Sequence, residues 1–410
     1  MPKINDERLL ADLRWLAEFG KYKTGVHRPT YSPQDIEARR WLVTQLREAG
    51  LDAAIDGIGN ILARPRQSGR SLLIGSHVES QNHAGWLDGA LGVVYGLEIA
   101  RAFREDPACA GFPVSVAAWA DEEGHFGNFL GSRSFIGDLA EDEIDRARDH
   151  TEGAALRAAL DRAGLAGIAR ETIVPSDYIG YLEAHIEQGD YLERAGLHLG
   201  IVTGIVGIWQ YRIVFTGEQN HAGTTRMAAR KDAGVALVKL SGAIAARFAE
   251  IAGPRSVWTT GFIRLEPGQP SIVPGVAEMQ FQIRDVETVQ LQRFEDALMQ
   301  LVAEADGAGP CEVALESAWK VSPVLMSQPF QSELMRAADR RSPGGAMRMP
   351  SAAGHDAQIL ARKIPAAMLF VPSINGVSHH WTEDTKEEDI VLGCQTLADA
   401  ADAIFRTHGA

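Results

Sequence analysis

Cysteine is scarce. Cys109, Cys311 and Cys394 are the three present; they lie far apart and none belongs to a CxxC pair. Such a set excludes a disulfide framework or a zinc knuckle as the basis of the fold. Long apolar runs are missing as well, since none approaches the roughly 18 residues that a membrane helix needs. The opening residues, Met-Pro-Lys-Ile-Asn-Asp-Glu-Arg, hold no apolar stretch of the secretory kind, so a cytoplasmic location is the expectation. Positive charge is in deficit: Lys and Arg total 40 against 54 Asp and Glu, a formal charge of −14. That balance argues against nucleic acid or an anionic membrane as partner. It leaves room for a small anionic substrate, because one buried arginine sets its own local field. The sequence has no internal repeat and no low-complexity tract.

What is present reads as a globular α/β chain. At 410 residues with 45% apolar and 23% charged residues, two domains are expected. Segments 5–20 and 33–50 read as amphipathic helices, the second entered through Ser32-Pro33 and closed by Gly50. The apolar segments 71–76 and 113–120 read as buried strands with a helix over 89–104 between them. Strands alternating with helices predict a mixed sheet covered on both faces. After about residue 210 the texture changes: strand 210–217, helix 232–251, strands near 256–265 and 276–284, helix 286–305 and strand 311–317. That β-α-β-β-α-β order predicts a ferredoxin-like sandwich. From about 328 a helix, strand 366–371 and helix 386–406 restore the first texture. The expected architecture is a discontinuous catalytic domain, 1–210 and 328–410, with a smaller domain, 211–327, inserted into it.

Several candidate metal ligands stand at the ends of these strands, where open α/β sheets place their ligands. His77 follows the strand SLLIGS, and Asp88 stands in Trp86-Leu87-Asp88-Gly89 before a helix. Read alone, Asp88 is a helix N-cap and His77 a loop histidine. The strand 113–120 runs into Asp121-Glu122-Glu123-Gly124, either a solvated acidic loop or a site where a cation offsets the repulsion among carboxylates. In the second case one glutamate binds metal while its neighbour takes a proton from water. His185, in HIEQG, and His379, in GVSHH, complete the set; of the adjacent His379 and His380 at most one ligates. Imidazole with carboxylate suits zinc, or manganese, cobalt or nickel.

Seven motifs in order resemble the M20 metallopeptidase clan, and within it the hydantoinase/carbamoylase branch of N-carbamoyl-L-amino-acid hydrolases, β-ureidopropionases and allantoate amidohydrolases. They are TGVHRPTYSPQDIEARRWL (24–42), GSHVES…GWLDGALGV (75–93), ADEEGHFGNFLGSRSFIG (120–137), HIEQG (185–189), GEQNHAGTTRM (217–227), AAGHDA (352–357) and GVSHHWTED (376–384). The resemblance implies two divalent ions per subunit, with Asp88 bridging them, His77 and His185 completing one site, and Glu123 and His379 the other. It implies Glu122 as the general base that activates the attacking water. His221, otherwise a turn histidine, would donate to the developing oxyanion, in cis or from a partner subunit. Gln188, Arg284 and His355 fall at substrate-holding positions; without the resemblance Arg284 reads as a surface ion pair with Asp285. The branch usually has Asn where this chain has Ser271, in Ser271-Ile272-Val273-Pro274-Gly275. Serine has a shorter reach and no amide, which leaves the exact substrate open.

The expected reaction is hydrolysis of a linear C–N bond in an N-carbamoyl or related carboxylate-bearing compound. The alternatives are an allantoate amidohydrolase, an aminoacylase or dipeptidase of the same clan, and a catalytically dead ligand-binding homologue. A homodimer through the inserted domain is implied by the resemblance.

Overall fold

A computed structural model describes residues 1–409. The chain forms two compact units, one of Met1–Thr203 with the segment from Leu325 onward, the other Gly204–Val324. The larger unit is a mixed α/β structure with a central mixed sheet and flanking helices.

Four parallel strands form the middle of that sheet, in the order Ala366–Val371, Tyr178–Ile186, Ser71–His77, Val114–Trp119. Every residue of the four is buried, which is why their sequences read as nearly continuous apolar runs rather than alternating ones. Antiparallel strands extend both sides: Leu199–Ile205 beyond Ala366–Val371, and Ile61–Pro65 then Leu51–Ile55 beyond Val114–Trp119. The helix Ala90–Glu105 lies against the sheet so closely that a Cβ at Gly92 would fall 2.4 Å from the Ala184 carbonyl oxygen. Helices Asp6–Glu18, Pro33–Glu48, Gln328–Arg341 and Glu387–His408 add Leu13, Leu42, Leu334 and Leu397 to the same core.

Strands 51–55, 61–65, 178–186, 199–205 and 346–351 come in addition to those expected from the sequence. Tyr178–Ile186 escaped because it carries Glu183 and His185 inside an otherwise apolar run and has no period-two alternation. Asp88 is not a helix cap. The cap position is Gly89, with φ 64° and no side-chain hydrogen bond, so the Asp88 carboxylate is free for other partners.

In the smaller unit four strands pair antiparallel in the order Val257–Glu266, Val276–Asp285, Gly207–Thr216, Glu312–Val321. Alternate residues Tyr211, Ile213 and Phe215 meet Leu237, Ile244 and Phe248 of helix Ala233–Ile251 and Phe294 and Leu298 of helix Thr288–Gly307. Val257–Glu266 is an edge strand and stays largely exposed. Among the described residues no helix is long and apolar enough to cross a membrane.

Candidate metal centre

His77 ends one parallel strand, Glu122 and Glu123 follow the next, and His185 lies one residue from the end of a third. His379 follows the fourth, Ala366–Val371, after a short loop. Their meeting point is Asp88. Its Oδ1 lies 3.4 Å from His77 Nε2 and 3.1 Å from His185 Nε2, while its Oδ2 lies 3.3 Å from His379 Nε2. His379 Nε2 is in turn 3.6 Å from Glu123 Oε2. Ligand atoms of His77, Asp88 and His185 fall within 4.8 Å of one another, and so do those of Asp88, Glu123 and His379. One carboxylate therefore faces two donor groups, one with each oxygen.

The donors are oriented for cations. His77 Nδ1 is 3.0 Å from the Glu79 carbonyl and His185 Nδ1 is 2.9 Å from the Ile186 carbonyl. Each ring thus donates through Nδ1 and turns Nε2 toward the centre, the usual arrangement of a ligating imidazole. Gln81 holds Glu123, its Nε2 donating to the Glu123 carbonyl at 2.8 Å and to Oε2 at 3.1 Å. Glu383 Oε1 accepts the main-chain N–H of Asp88 at 3.1 Å, and Ser378 Oγ stands 3.2 Å from Asp88 Oδ2. Asp121, Gln188 and His379 adopt φ of 59°, 58° and 55°, strained values for residues with a Cβ that are typical of functional loops.

Electrostatics point the same way. Burial disfavours charge on His77, yet the carboxylates of Glu122, Glu79 and Asp88 outweigh it and hold the imidazole well above its ordinary pKa. Burial would raise Asp88, but the imidazoles of His185, His379 and His77 keep it well below the usual carboxylate range. The hydrogen bond to Asp88 lifts His379 to about 9. Positive charge is wanted here, and the mixed imidazole and carboxylate donors fit divalent ions of the zinc kind. Glu122 stands slightly apart, its Oε2 3.7 Å from His77 Nε2. Its carboxyl is raised by burial, opposed by His77 and reinforced by Asp356, Glu123 and Asp88.

The remaining candidates divide between the units. Gln188 joins the centre, its Nε2 3.0 Å from Asp88 Oδ2. His355 is buried behind it, its ring centroid 4.6 Å from that of His185 and its Nε2 3.0 Å from Ser351 Oγ. In the smaller unit, His221 Nδ1 accepts the N–H groups of Gly223 and Thr224 at 3.0 and 3.1 Å, which leaves its proton on an exposed Nε2. Ser271 neighbours it: the Ser271 carbonyl accepts the Ala222 N–H at 2.9 Å, and His221 pairs with Ile272. Arg284 lies near the end of Val276–Asp285, its Nε donating to Gln282 Oε1 at 2.8 Å. Sequence reasoning missed Arg39, Glu79, Gln81, Ser378 and Glu383. All but Arg39 sit within five residues of a proposed ligand, and a buried-charge pattern on helix Pro33–Glu48, Asp35 with Arg39 one turn on, is the signal that marks the fifth.

Residues 72–403 match the model of peptidase family M20/M25/M40. An N-carbamoyl-L-amino acid amidohydrolase of Geobacillus stearothermophilus is 32% identical over 96% of this chain and 97% of its own length. The allantoate amidohydrolase of Bacillus subtilis is 29% identical over 97% of each chain. A crystal structure of an amidase of the hydantoinase/carbamoylase family from Burkholderia phymatum is 49% identical, with a TM-score of 0.93 over 98% of this chain and 99% of that one. Agreement in sequence and fold across nearly the full length shows that this chain belongs to the M20/M25/M40 peptidase family, in its hydantoinase/carbamoylase branch.

Proposed function

We propose that this chain is an amidohydrolase that cleaves a linear C–N bond of an N-carbamoyl (ureido) amino acid or a related carboxylate-bearing compound. The observation that carries the reading is the division of Asp88, with one oxygen toward His77 and His185 and the other toward His379 and Glu123. Two divalent ions would be held by these five residues, zinc fitting best and manganese, cobalt or nickel also suited to the donors. Such ions would polarise the scissile carbonyl and make water acidic enough to attack at neutral pH.

The chain's own groups do the rest. Glu122 takes a proton from the attacking water and returns it to the leaving nitrogen; its raised proton affinity suits that exchange. His221 donates Nε2–H to the developing oxyanion, a role supported by its two bonds to Nδ1. Arg284 grips a substrate carboxylate through its planar fork, with Gln188, Ser271 and His355 completing the substrate contacts. A carbamoyl substrate and one water yield the free amine, ammonia and carbon dioxide.

The inserted unit is read as a ferredoxin-like lid that also joins two copies. The edge strand Val257–Glu266 supports this, with Phe262 41%, Ile263 52% and Leu265 40% exposed, because an open apolar edge invites a partner. The three buried, unpaired cysteines suit the reducing cytoplasm. Allantoate is the second substrate that fits, since Ser271 lacks the amide that the resemblance leads one to expect there and the Bacillus subtilis relative matches over the same length. Incubation with N-carbamoyl-L-amino acids, allantoate and N-acyl amino acids decides the matter. Ammonia release from an ureido compound is expected; turnover of the N-acyl compounds alone overturns the reading.

A further inference from the structure

Behind the centre runs a fully buried chain of charges that none of the proposed roles uses. Arg39, on helix Pro33–Glu48, has no exposed side-chain surface, and neither has Glu79. Arg39 Nη2 donates to Glu79 Oε2 at 2.6 Å, and its Nε donates to Asp35 Oδ1 at 2.9 Å. The same guanidinium bonds the carbonyls of Ala118 at 3.3 Å and Trp119 at 3.1 Å, the last two residues of the strand that leads to Glu122. The other oxygen of Glu79, Oε1, accepts the main-chain N–H of Glu122 at 2.7 Å. Glu79 does not bond His77 with its carboxylate, which is 3.9 Å from Nδ1; its main-chain carbonyl does that at 3.0 Å.

We infer that Arg39 and Glu79 are positioning residues that aim Glu122 at the reacting water. This rests on the reading of Glu122 as general base. The need for such a device lies in Asp121, where φ of 59° turns the chain sharply between strand and base. A non-glycine residue persists there only if its surroundings hold it. Asp121 holds the far side of the turn through its own carboxylate, which accepts the N–H groups of His125, Phe126 and Gly127. Arg39 fixes the near side at the strand end, and Glu79 fixes the amide of Glu122 itself. Both oxygens of Glu79 are engaged as acceptors, Oε2 by Arg39 and Oε1 by the Glu122 amide. Through its carbonyl Glu79 also ties His77, so one residue sets the spacing between a proposed ligand and the base.

Glu79→Gln is the test. A glutamine has one accepting oxygen, so it satisfies either Arg39 or the Glu122 amide and not both. In the full-length, ion-loaded protein we expect kcat to fall by about 10–100-fold, with KM and ion content unchanged. In the ion-free protein, hydrogen exchange at the amides of residues 120–124 should quicken, while exchange in the smaller unit stays as in the parent. Unchanged exchange at Glu122, or a kcat loss that merely follows lost ions, overturns the inference. Should Glu79→Gln not fold, Arg39→Lys keeps the charge, loses the fork and is read by the same two measurements. Full activity of Glu122→Gln would instead sink the base assignment, and the exchange data would still report whether the relay holds the turn.

Discussion

A single methyl group at position 89 probes how tightly the centre is built. Gly89 has φ 64°, and a Cβ there would lie 2.4 Å from three ring atoms of His77, against about 3.5–4.0 Å for a relaxed carbon contact. The imidazole has nowhere to retreat: it is 1% exposed, Nδ1 is bonded to the Glu79 carbonyl, and Nε2 faces Asp88 and Glu122. Gly89→Ala therefore carries two costs, about 1–2 kcal/mol for a Cβ in the left-handed region and about 1–3 kcal/mol for overpacking. Together they come to about 2–5 kcal/mol of stability. The stress falls on His77 and on the Asp88 carboxylate next in the chain, so ion affinity should drop by at least about tenfold. Thermal unfolding of the ion-free protein measures the first effect and a calorimetric ion titration the second. A Gly89→Ala protein with the parent's melting temperature and ion affinity would refute the close packing of residue 89 on His77.

Other consequences are equally open to measurement. Glu122→Gln should retain bound ions and lose about 10²–10⁴ in kcat, checked by elemental analysis beside steady-state kinetics. His379 is held near pKa 9 by Asp88 in the ion-free protein, so ion binding at pH 7–8 must expel its proton; calorimetry in buffers of different ionisation enthalpy should show it, and affinity should climb as pH rises toward 9. By the same sign, the His379–Asp88 pair stabilises the ion-free fold fully below the ordinary 6.5, and that stabilisation is lost as pH rises through about 9. Arg284→Lys should raise KM for the carboxylate-bearing substrate at least about tenfold, because a lysine lacks the planar fork; an unchanged KM removes Arg284 from the substrate site. If the exposed edge strand joins two copies as proposed, light scattering should give the parent a dimer's mass and Ile263→Lys a monomer's; equal masses for the two proteins would remove this strand from the interface.

The centre was legible because its parts obey a positional rule: His77, Glu123, His185 and His379 all leave the carboxyl ends of parallel strands. The rule could be applied to His77 and the Asp121–Glu123 run, whose strands are plain apolar segments. It does not reach His185, whose strand carries Glu183 and His185 itself within an apolar run and so gives no clear strand signal. Asp88 shows the limit of local reasoning. A carboxylate before a helix is most simply a cap, and without the resemblance nothing local tells that Gly89 takes that position while three histidines converge on the side chain. Arg39 and Glu79 lie further out of reach, because their pairing spans two elements and neither residue resembles a ligand. The antiparallel edges 51–55 and 61–65 are hard to read for a different reason: Asp56-Gly57-Ile58-Gly59-Asn60 marks a turn, but the flanking LDAAI and ILARP are short and rich in alanine, a weak strand former.

The strand Ala366–Val371 is the last in chain order among the described residues, yet it sits inside the large sheet between Leu199–Ile205 and Tyr178–Ile186. During synthesis those two neighbours leave the ribosome long before the strand that separates them. The intervening Gly204–Val324 unit has an apolar core of its own and is complete while the sheet is still missing an interior member. A nascent chain at that stage carries exposed main-chain edges, the state most prone to wrong pairing. It also lacks the imidazole of His379, one of the five side chains proposed to hold the ions.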